Sequence, residues 1–209
     1  RTLDRLEAES AYYRNRALNY VRMFDPAIGF FQGRALDGKW KSPARDYNPE
    51  VWGHEHDYTE TNGWGFAFLA PHDGQGLASL YGGRDALARK LDAYFATPET
   101  AGHPGSYGGV IHEMVEARDV RMGQWGFSNQ VAHHVPWMYL YTGQPWRTQE
   151  IVREVLARMY IGSEIGQGYP GDEDNGESSA WWLFAALGFY PLQMGSENLA
   201  FRSPLFTKG

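Results

Sequence analysis

Gly171-Asp172-Glu173-Asp174-Asn175-Gly176 sets three acids between two glycines, directly ahead of the apolar helical pattern Ser179-Ala180-Trp181-Trp182-Leu183-Phe184-Ala185-Ala186-Leu187. Glycine at each end lets the backbone turn sharply. A helix starting here offers unpaired N–H groups and the positive end of its dipole to the acids. Two readings compete: Asp and Asn as ordinary caps of that helix, or carboxylates held at the mouth of a catalytic or metal site. The second gains weight from the tryptophans behind the acids and from another acid in similar company, Tyr58-Thr59-Glu60-Thr61-Asn62-Gly63-Trp64.

Working outward, 209 residues suffice for one domain with a real core. The chain opens inside a helical pattern and ends on the extended stretch Ser203–Gly209, so the expectation is a piece of a larger protein. A formal net charge of −6, with scattered Lys and Arg, argues against a nucleic-acid surface. The absence of cysteine excludes disulfides, thiolate metal sites and cysteine nucleophiles. No apolar run reaches the length of a membrane span. Aromatic residues make up 15% of the chain, including eight tryptophans. Rings beside carboxylates suit sugars, whose C–H faces pack on aromatics while their hydroxyls bond to acids and amides.

Periodicity predicts helices over Thr2–Met23, Gly63–Ala70, Arg84–Tyr94, Ser128 to about Tyr141, Thr148–Tyr160 with a Thr cap, and the pattern after Gly176 closed by Gly188 and Pro191. Leu77–Tyr81 reads as a short turn or helix, and Phe30–Arg34 and Leu199–Arg202 as short strands. Gly29–His56 and Thr97–Gly109 read as loop, as does the pair His112-Glu113, and a glycine-rich connector covers 162–171. Roughly six helices separated by long loops that carry Trp, His and acids fit part of a mainly α toroid better than a bundle, whose connections run to about 2–8 residues.

Two carboxyl groups suffice to hydrolyse a glycosidic bond. Glu60 is the candidate acid, since Tyr58 and Trp64 would give it apolar surroundings that favour the protonated form. Asp174 and Asp172, on a wetter loop, are the candidate bases. His133-His134 lies on a predicted helix where neighbours point about 100° apart, so one packed and one partly exposed histidine is expected rather than a metal pair. His112-Glu113 reads either as a reader of sugar hydroxyls or as capping and surface polarity. Of Trp181 and Trp182, one is expected in the core. Oxygen donors without thiolates favour a hard cation if any metal binds.

Tyr58-Thr59-Glu60, Pro71-His72-Asp73, His112-Glu113-Met114, Ser128-Asn129-Gln130 with His133-His134, Gly143-Gln144-Pro145-Trp146 with Thr148-Gln149-Glu150, the acidic loop with Ser179-Ala180-Trp181, Gly188-Phe189-Tyr190-Pro191 and Ser203-Pro204-Leu205-Phe206 follow one another in an order that resembles glycoside hydrolase family 92. The resemblance implies a calcium-dependent, inverting exo-α-mannosidase acting on mannose-containing oligosaccharides or N-glycans. By the same likeness it implies a secreted, periplasmic or cell-surface location. Its members join an N-terminal β-sandwich to an (α/α)6 barrel, and this chain resembles the later part of that barrel, without the sandwich. Residue by residue, the resemblance implies Glu60 as general acid, Asp174 as general base with Asp172 assisting the water, and Glu150 and Asn129 at the calcium. Trp64 is expected among the substrate-binding residues. His112 and Glu113 would contact the leaving sugar, as in α-1,2-specific members, where a proline often follows; here Met114 does. Val131 likewise stands where many members have proline.

Overall fold

The computed structural model describes residues 3–162 and 168–206. Thr2, the stretch 163–167 of the glycine-rich connector and the last three residues of the terminal stretch lie outside the described residues.

The core is built where apolar residues recur at helical spacing. In α4 (Arg84–Ala96), Leu87, Ala88, Leu91 and Tyr94 form one buried stripe. Gly82 and Gly83, at φ +97° and +115°, end α3 (Gly74–Tyr81) and reverse the chain into α4, a backbone path that a side chain would strain. α3 packs on α4, and both pack on a 3₁₀ segment, Val135–Thr142. That segment packs in turn on α6 (Pro145–Arg158), and α6 on α7 (Glu177–Leu187). Leu77, Leu91, Tyr139, Val152, Val155 and Trp181 join in the resulting apolar core.

The predicted helix from Ser128 to Tyr141 is instead two 3₁₀ pieces, Gln130–Ala132 and Val135–Thr142. Pro136 brings no N–H and disfavours helical geometry in the residue before it. α6 starts at Pro145, whose missing N–H costs nothing at the first helical position. Thr148 therefore is no cap: it is buried, and its hydroxyl donates to the Pro136 carbonyl at 2.8 Å. His112 and Glu113 open a helix, α5 (His112–Val120), which buries Met114, Ala117 and Val120. Only the first turn of Gly63–Ala70 is α-helical, as α2 (Gly63–Phe66). Two antiparallel pairs of two-residue strands complete the fold, β1 (Phe24–Asp25) with β2 (Phe30–Phe31) and β3 (Phe189–Tyr190) with β4 (Ala200–Phe201).

α1 (Leu3–Ala17) buries none of its residues and continues as a 3₁₀ turn over Leu18–Met23. Leu3, Leu6, Tyr12 and Tyr13 are exposed. A hollow of about 350 Å³ lies beside the end of this segment, lined by Tyr20, Met23, Phe31, Tyr58, Phe66 and Leu69 among others.

This contrast fixes an expected pair of stabilities for the chain. Leu91→Ala, at 0% exposure, should cost about 2–5 kcal/mol by leaving a cavity. Leu6→Ala, at 46% exposure, should stay within about 0.5 kcal/mol. Urea midpoints of the two variants measure both, and equal losses would contradict the assignment of the core.

Candidate active site

One cavity of about 280 Å³ is lined by Glu60, His112, Glu113, Glu116, Ser128, Asn129, Gln130, Asp172 and Asp174. Five carboxylates thus meet one imidazole, with no lysine or arginine in the lining. Six of the eight site residues expected from the sequence are brought together here.

Glu60 stands just ahead of α2, at φ +54°, in the left-handed region that non-glycine residues seldom occupy. Its N–H donates to the Tyr107 hydroxyl at 2.7 Å, and its carbonyl accepts from Asn129 Nδ2 at 3.3 Å. Its neighbours are pinned as well. Asn62 Oδ1 caps α2 by accepting from the Gly65 N–H at 3.1 Å, while Asn62 Nδ2 reaches Gln124 Oε1 at 2.8 Å. Asn62 Nδ2 also reaches Glu99, a buried carboxyl that accepts from Trp52 Nε1 at 3.2 Å and from the Ala101 N–H at 2.7 Å. Burial pushes Glu99 above the ordinary glutamate range, the largest of several opposing influences.

Across the cavity, the acidic loop divides its labour. Glu173 is the residue that caps α7: its carboxylate accepts from the Gly176 and Ser179 N–H groups. The competing readings of this loop are thereby both realised, capping by Glu173 and cavity lining by Asp172 and Asp174. The turn is left-handed at Asp174, Asn175 and Gly176, with φ of +53°, +59° and +98°. Sparsely populated backbone of this kind gathers at functional sites. Gly171 is required for close approach, since at φ +66° an added Cβ would lie 2.2 Å from Ser128 Cβ and 2.9 Å from Glu116 Oε2.

His112 sits at the start of α5 between two acids, Nε2 3.2 Å from Glu113 and Nδ1 3.1 Å from Glu116, one turn further along. The Glu116 hydrogen bond, followed by the charges of Glu113, Glu116 and Asp172, holds the imidazole above the ordinary histidine range. Glu116, Ser128 and Gln130 are not among the site residues expected from the sequence, although Ser128 and Gln130 flank Asn129 in one of the quoted blocks; for Glu116 the signal is the i, i+4 spacing from His112, visible only once 112–120 is read as helix. Glu113 Oε2 and Ser128 Oγ are buried with no hydrogen-bond partner among the described residues. Such orphaned oxygens suit a ligand that brings its own donors or a hard cation. No three His, Cys, Asp or Glu side chains among the described residues already converge as a cage. The fit to calcium is one of donor chemistry.

Two expected site residues lie elsewhere. Trp64 turns away with α2 into the core, its ring meeting Phe30 edge-on at 4.9 Å and carrying the Lys90 ammonium 4.7 Å from its centre. Burial pushes Lys90 down to about 7. A face already used this way offers no platform to a sugar. Tyr58 likewise belongs to the core, buried, stacked on Phe66 and bonded to Tyr47 at 2.8 Å. Glu150 is exposed on α6 and paired with Arg147 at 2.9 Å, so it is not brought to Asn129. His133 and His134 are both buried, against the expectation that one is exposed, with each Nε2 donating to a carbonyl, Phe127 at 3.1 Å and Phe68 at 2.7 Å. Burial pushes both down to about 4. Trp181 is the core tryptophan, its indole N–H donating to the His133 carbonyl at 3.0 Å.

The sequence profile described as the glycosyl hydrolase family 92 catalytic domain matches residues 1–209. Among solved structures, the family GH92 inverting mannosidase BT2199 of Bacteroides thetaiotaomicron VPI-5482 is 38% identical with a TM-score of 0.73, over 94% of this chain and 26% of that one. The family GH92 α-mannosidase BT3965 of Bacteroides thetaiotaomicron, in complex with mannoimidazole, is 28% identical with a TM-score of 0.79, over 95% of this chain and 25% of that one. A curated relative from Arthroderma benhamiae, named an uncharacterized secreted glycosidase, is 24% identical over 188 residues. The chain spans 20% of that relative's length.

The Glu173 cap gives the acidic loop a pH signature. Hydrogen bonds from Ser179, side chain first and then backbone, and from the Gly176 N–H hold Glu173 below the ordinary glutamate range. A lowered acid stabilises the folded state above its unfolded value, about 4.3, and that stabilisation is lost as pH falls through the folded value. The protection of the Ser179 amide, its exchange rate taken relative to an unstructured amide at the same pH, should therefore fall on acidification in the natural chain, and should be low at every pH in Glu173→Ala. Equal protection in both proteins would contradict the cap.

Proposed function

Because the chain belongs to glycosyl hydrolase family 92, we propose that it carries both catalytic acids of an inverting exo-α-mannosidase, Glu60 as general acid and Asp174 as general base. The observation that supports this reading is that the two acids, far apart in sequence, line one cavity. Inverting hydrolysis needs a proton for the departing oxygen on one side and a base behind a water on the other, with the carboxyl groups about 6.5–9.5 Å apart. Glu60 gives its proton to the glycosidic oxygen as the bond breaks. Asp174 takes a proton from the water that attacks the anomeric carbon, and Asp172 orients that water. His112 and Glu113 bond to hydroxyls of the leaving sugar, and the proposed preference is for an α-1,2 linkage. Met114 bears on that preference only by anchoring α5, since its side chain is in the core.

Calcium belongs to the same proposal. Asn129, Ser128 and Glu113 would hold it through oxygen, and when bound the ion supplies polarisation of sugar hydroxyls. We further infer that the chain is one part of an (α/α)6 toroid whose remaining helices, like the family's separate β-sandwich domain, come from further polypeptide. This is supported by the share of its relatives' length that it spans and by the bare apolar face of α1. Export agrees with the name of the Arthroderma benhamiae relative, a secreted glycosidase, and mannose-containing oligosaccharides or N-glycans are the proposed substrates. Among the described residues, no helix is long and apolar enough to cross a membrane.

Hydrolysis of α-1,2-mannobiose by the full-length natural protein tests the reading. Glu60→Gln and Asp174→Asn should each lower kcat by about 10²–10⁴-fold with substrate binding kept, and EDTA should abolish turnover until calcium is restored. A calcium-dependent sugar-binding fragment without chemistry predicts no turnover to lose. Full turnover in either variant would refute the assigned roles.

A further inference from the structure

The loop between α4 and α5 is pressed against the segment that carries Glu60, and glycine on both sides permits the approach. Tyr107 ends a 3₁₀ turn, Gly105–Tyr107, set between Gly105 and Gly108 at φ +52° and +69°. A Cβ added at Gly105 would run into the Trp52 carbonyl and the Glu55 carboxylate, and one added at Gly53, at φ +86°, into Ser106 Oγ and the Tyr107 ring. Three hydrogen bonds cross this seam. The Trp52 N–H donates to the His103 carbonyl at 3.0 Å, the His54 N–H to Ser106 Oγ at 2.7 Å, and the Glu60 N–H to the Tyr107 hydroxyl at 2.7 Å.

Both partners of that last bond are anchored. Tyr107 packs against a small apolar cluster of Trp52, Ala101, Met114 and Ala117, separate from the main core. On the other side, the segment 53–61 closes on itself, because the Gly53 N–H donates to the Thr61 carbonyl and the Tyr58 N–H to the Gly53 carbonyl, each at 3.1 Å. Glu60 is the last residue but one of that closed loop. Left-handed and outside any helix or strand, it has no ladder for its N–H to join, and the Tyr107 hydroxyl supplies the acceptor. Beyond Tyr107 the chain turns through Gly108 and Gly109 and enters α5 at His112 and Glu113. One loop thus reaches both Glu60 and the two residues proposed to bond the leaving sugar.

We propose that Tyr107 is a positioning residue for the general acid: by accepting the Glu60 N–H, its hydroxyl keeps Glu60 left-handed and so sets where the proton meets the departing oxygen. This rests on the reading of Glu60 as that acid. Tyr107 itself touches no reacting atom. Its worth follows the leaving group's need for a proton. A sugar alkoxide needs one to depart, whereas a dinitrophenolate departs without.

The test uses the full-length natural protein and Tyr107→Phe, which keeps the ring and removes the acceptor. On α-1,2-mannobiose the variant should lose about 10- to 100-fold in kcat, the scale of a misplaced catalytic group, with KM nearly kept. On 2,4-dinitrophenyl α-mannoside it should stay within about 2-fold of the natural protein. Glu60→Gln is the control and should split the two substrates in the same way. An unaffected Tyr107→Phe, or equal losses on both substrates where Glu60→Gln splits them, overturns the proposal. Equal losses in Glu60→Gln itself would refute the reading of Glu60 as the acid. Amide exchange is independent of turnover. The Glu60 N–H should be protected in the natural protein and lose most of that protection in Tyr107→Phe, while the Gly65 N–H, bonded to Asn62 at 3.1 Å, keeps its own. A Glu60 N–H unprotected in the natural protein, or equally protected in the variant, overturns the proposal even in an active enzyme. The expected exchange in a protein that cleaves no mannoside would instead refute the function and leave the contact standing.

Discussion

Two hydrogen bonds, one to each side of the Glu60 peptide, are the constraint on which the site depends. Tyr107 holds the N–H and Asn129 the carbonyl, so two other segments of the chain fix a residue whose backbone is left-handed. Such a conformation costs about 1–3 kcal/mol and persists only when its surroundings over-determine it. Those surroundings are the buried Asn62, Glu99 and Gln124 group and the loop that brings Tyr107. Glu60 is thus held through its backbone by polar contacts, on the wall of the cavity.

The opposite wall works by a different device. A helix start needs its N–H groups satisfied, and an acidic loop can spend all its carboxylates on that need. Here, among the described residues, the carboxylate that helps to meet it is that of Glu173, and Asp172 and Asp174 line the cavity instead. Gly171 admits the approach of Ser128 and Glu116 that closes the cavity's floor. Packing of α6 on α7 and of Trp181 beneath His133 then ties this loop to the apolar core.

Helices with one apolar face, such as α4 and α6, were legible in the sequence because their burial repeats every three or four residues. The 3₁₀ segment Val135–Thr142 was not, since it is apolar almost all round and holds a proline, so periodicity carried no information. Of the three acids between the glycines, Asp172 and Asp174 line the cavity and Glu173 caps the helix, a division that glycine and charge, as local signals, do not reveal. Trp64 misled: nearness to Glu60 in sequence became distance in space once α2 turned it toward Phe30 and Lys90. Glu150 misled for the opposite reason. An acid in the first turns of a helix is satisfied by a neighbouring arginine as readily as by a cation.

The claim at the centre is that Glu60 and Asp174 act from opposite sides of one bond. Proton NMR of the first sugar released from an α-mannoside by the full-length protein tests it most directly. The account predicts β-mannose as the initial product, equilibrating later by mutarotation. Initial release of α-mannose would mean a carboxyl attacking the sugar itself from about 5 Å, and would contradict the account.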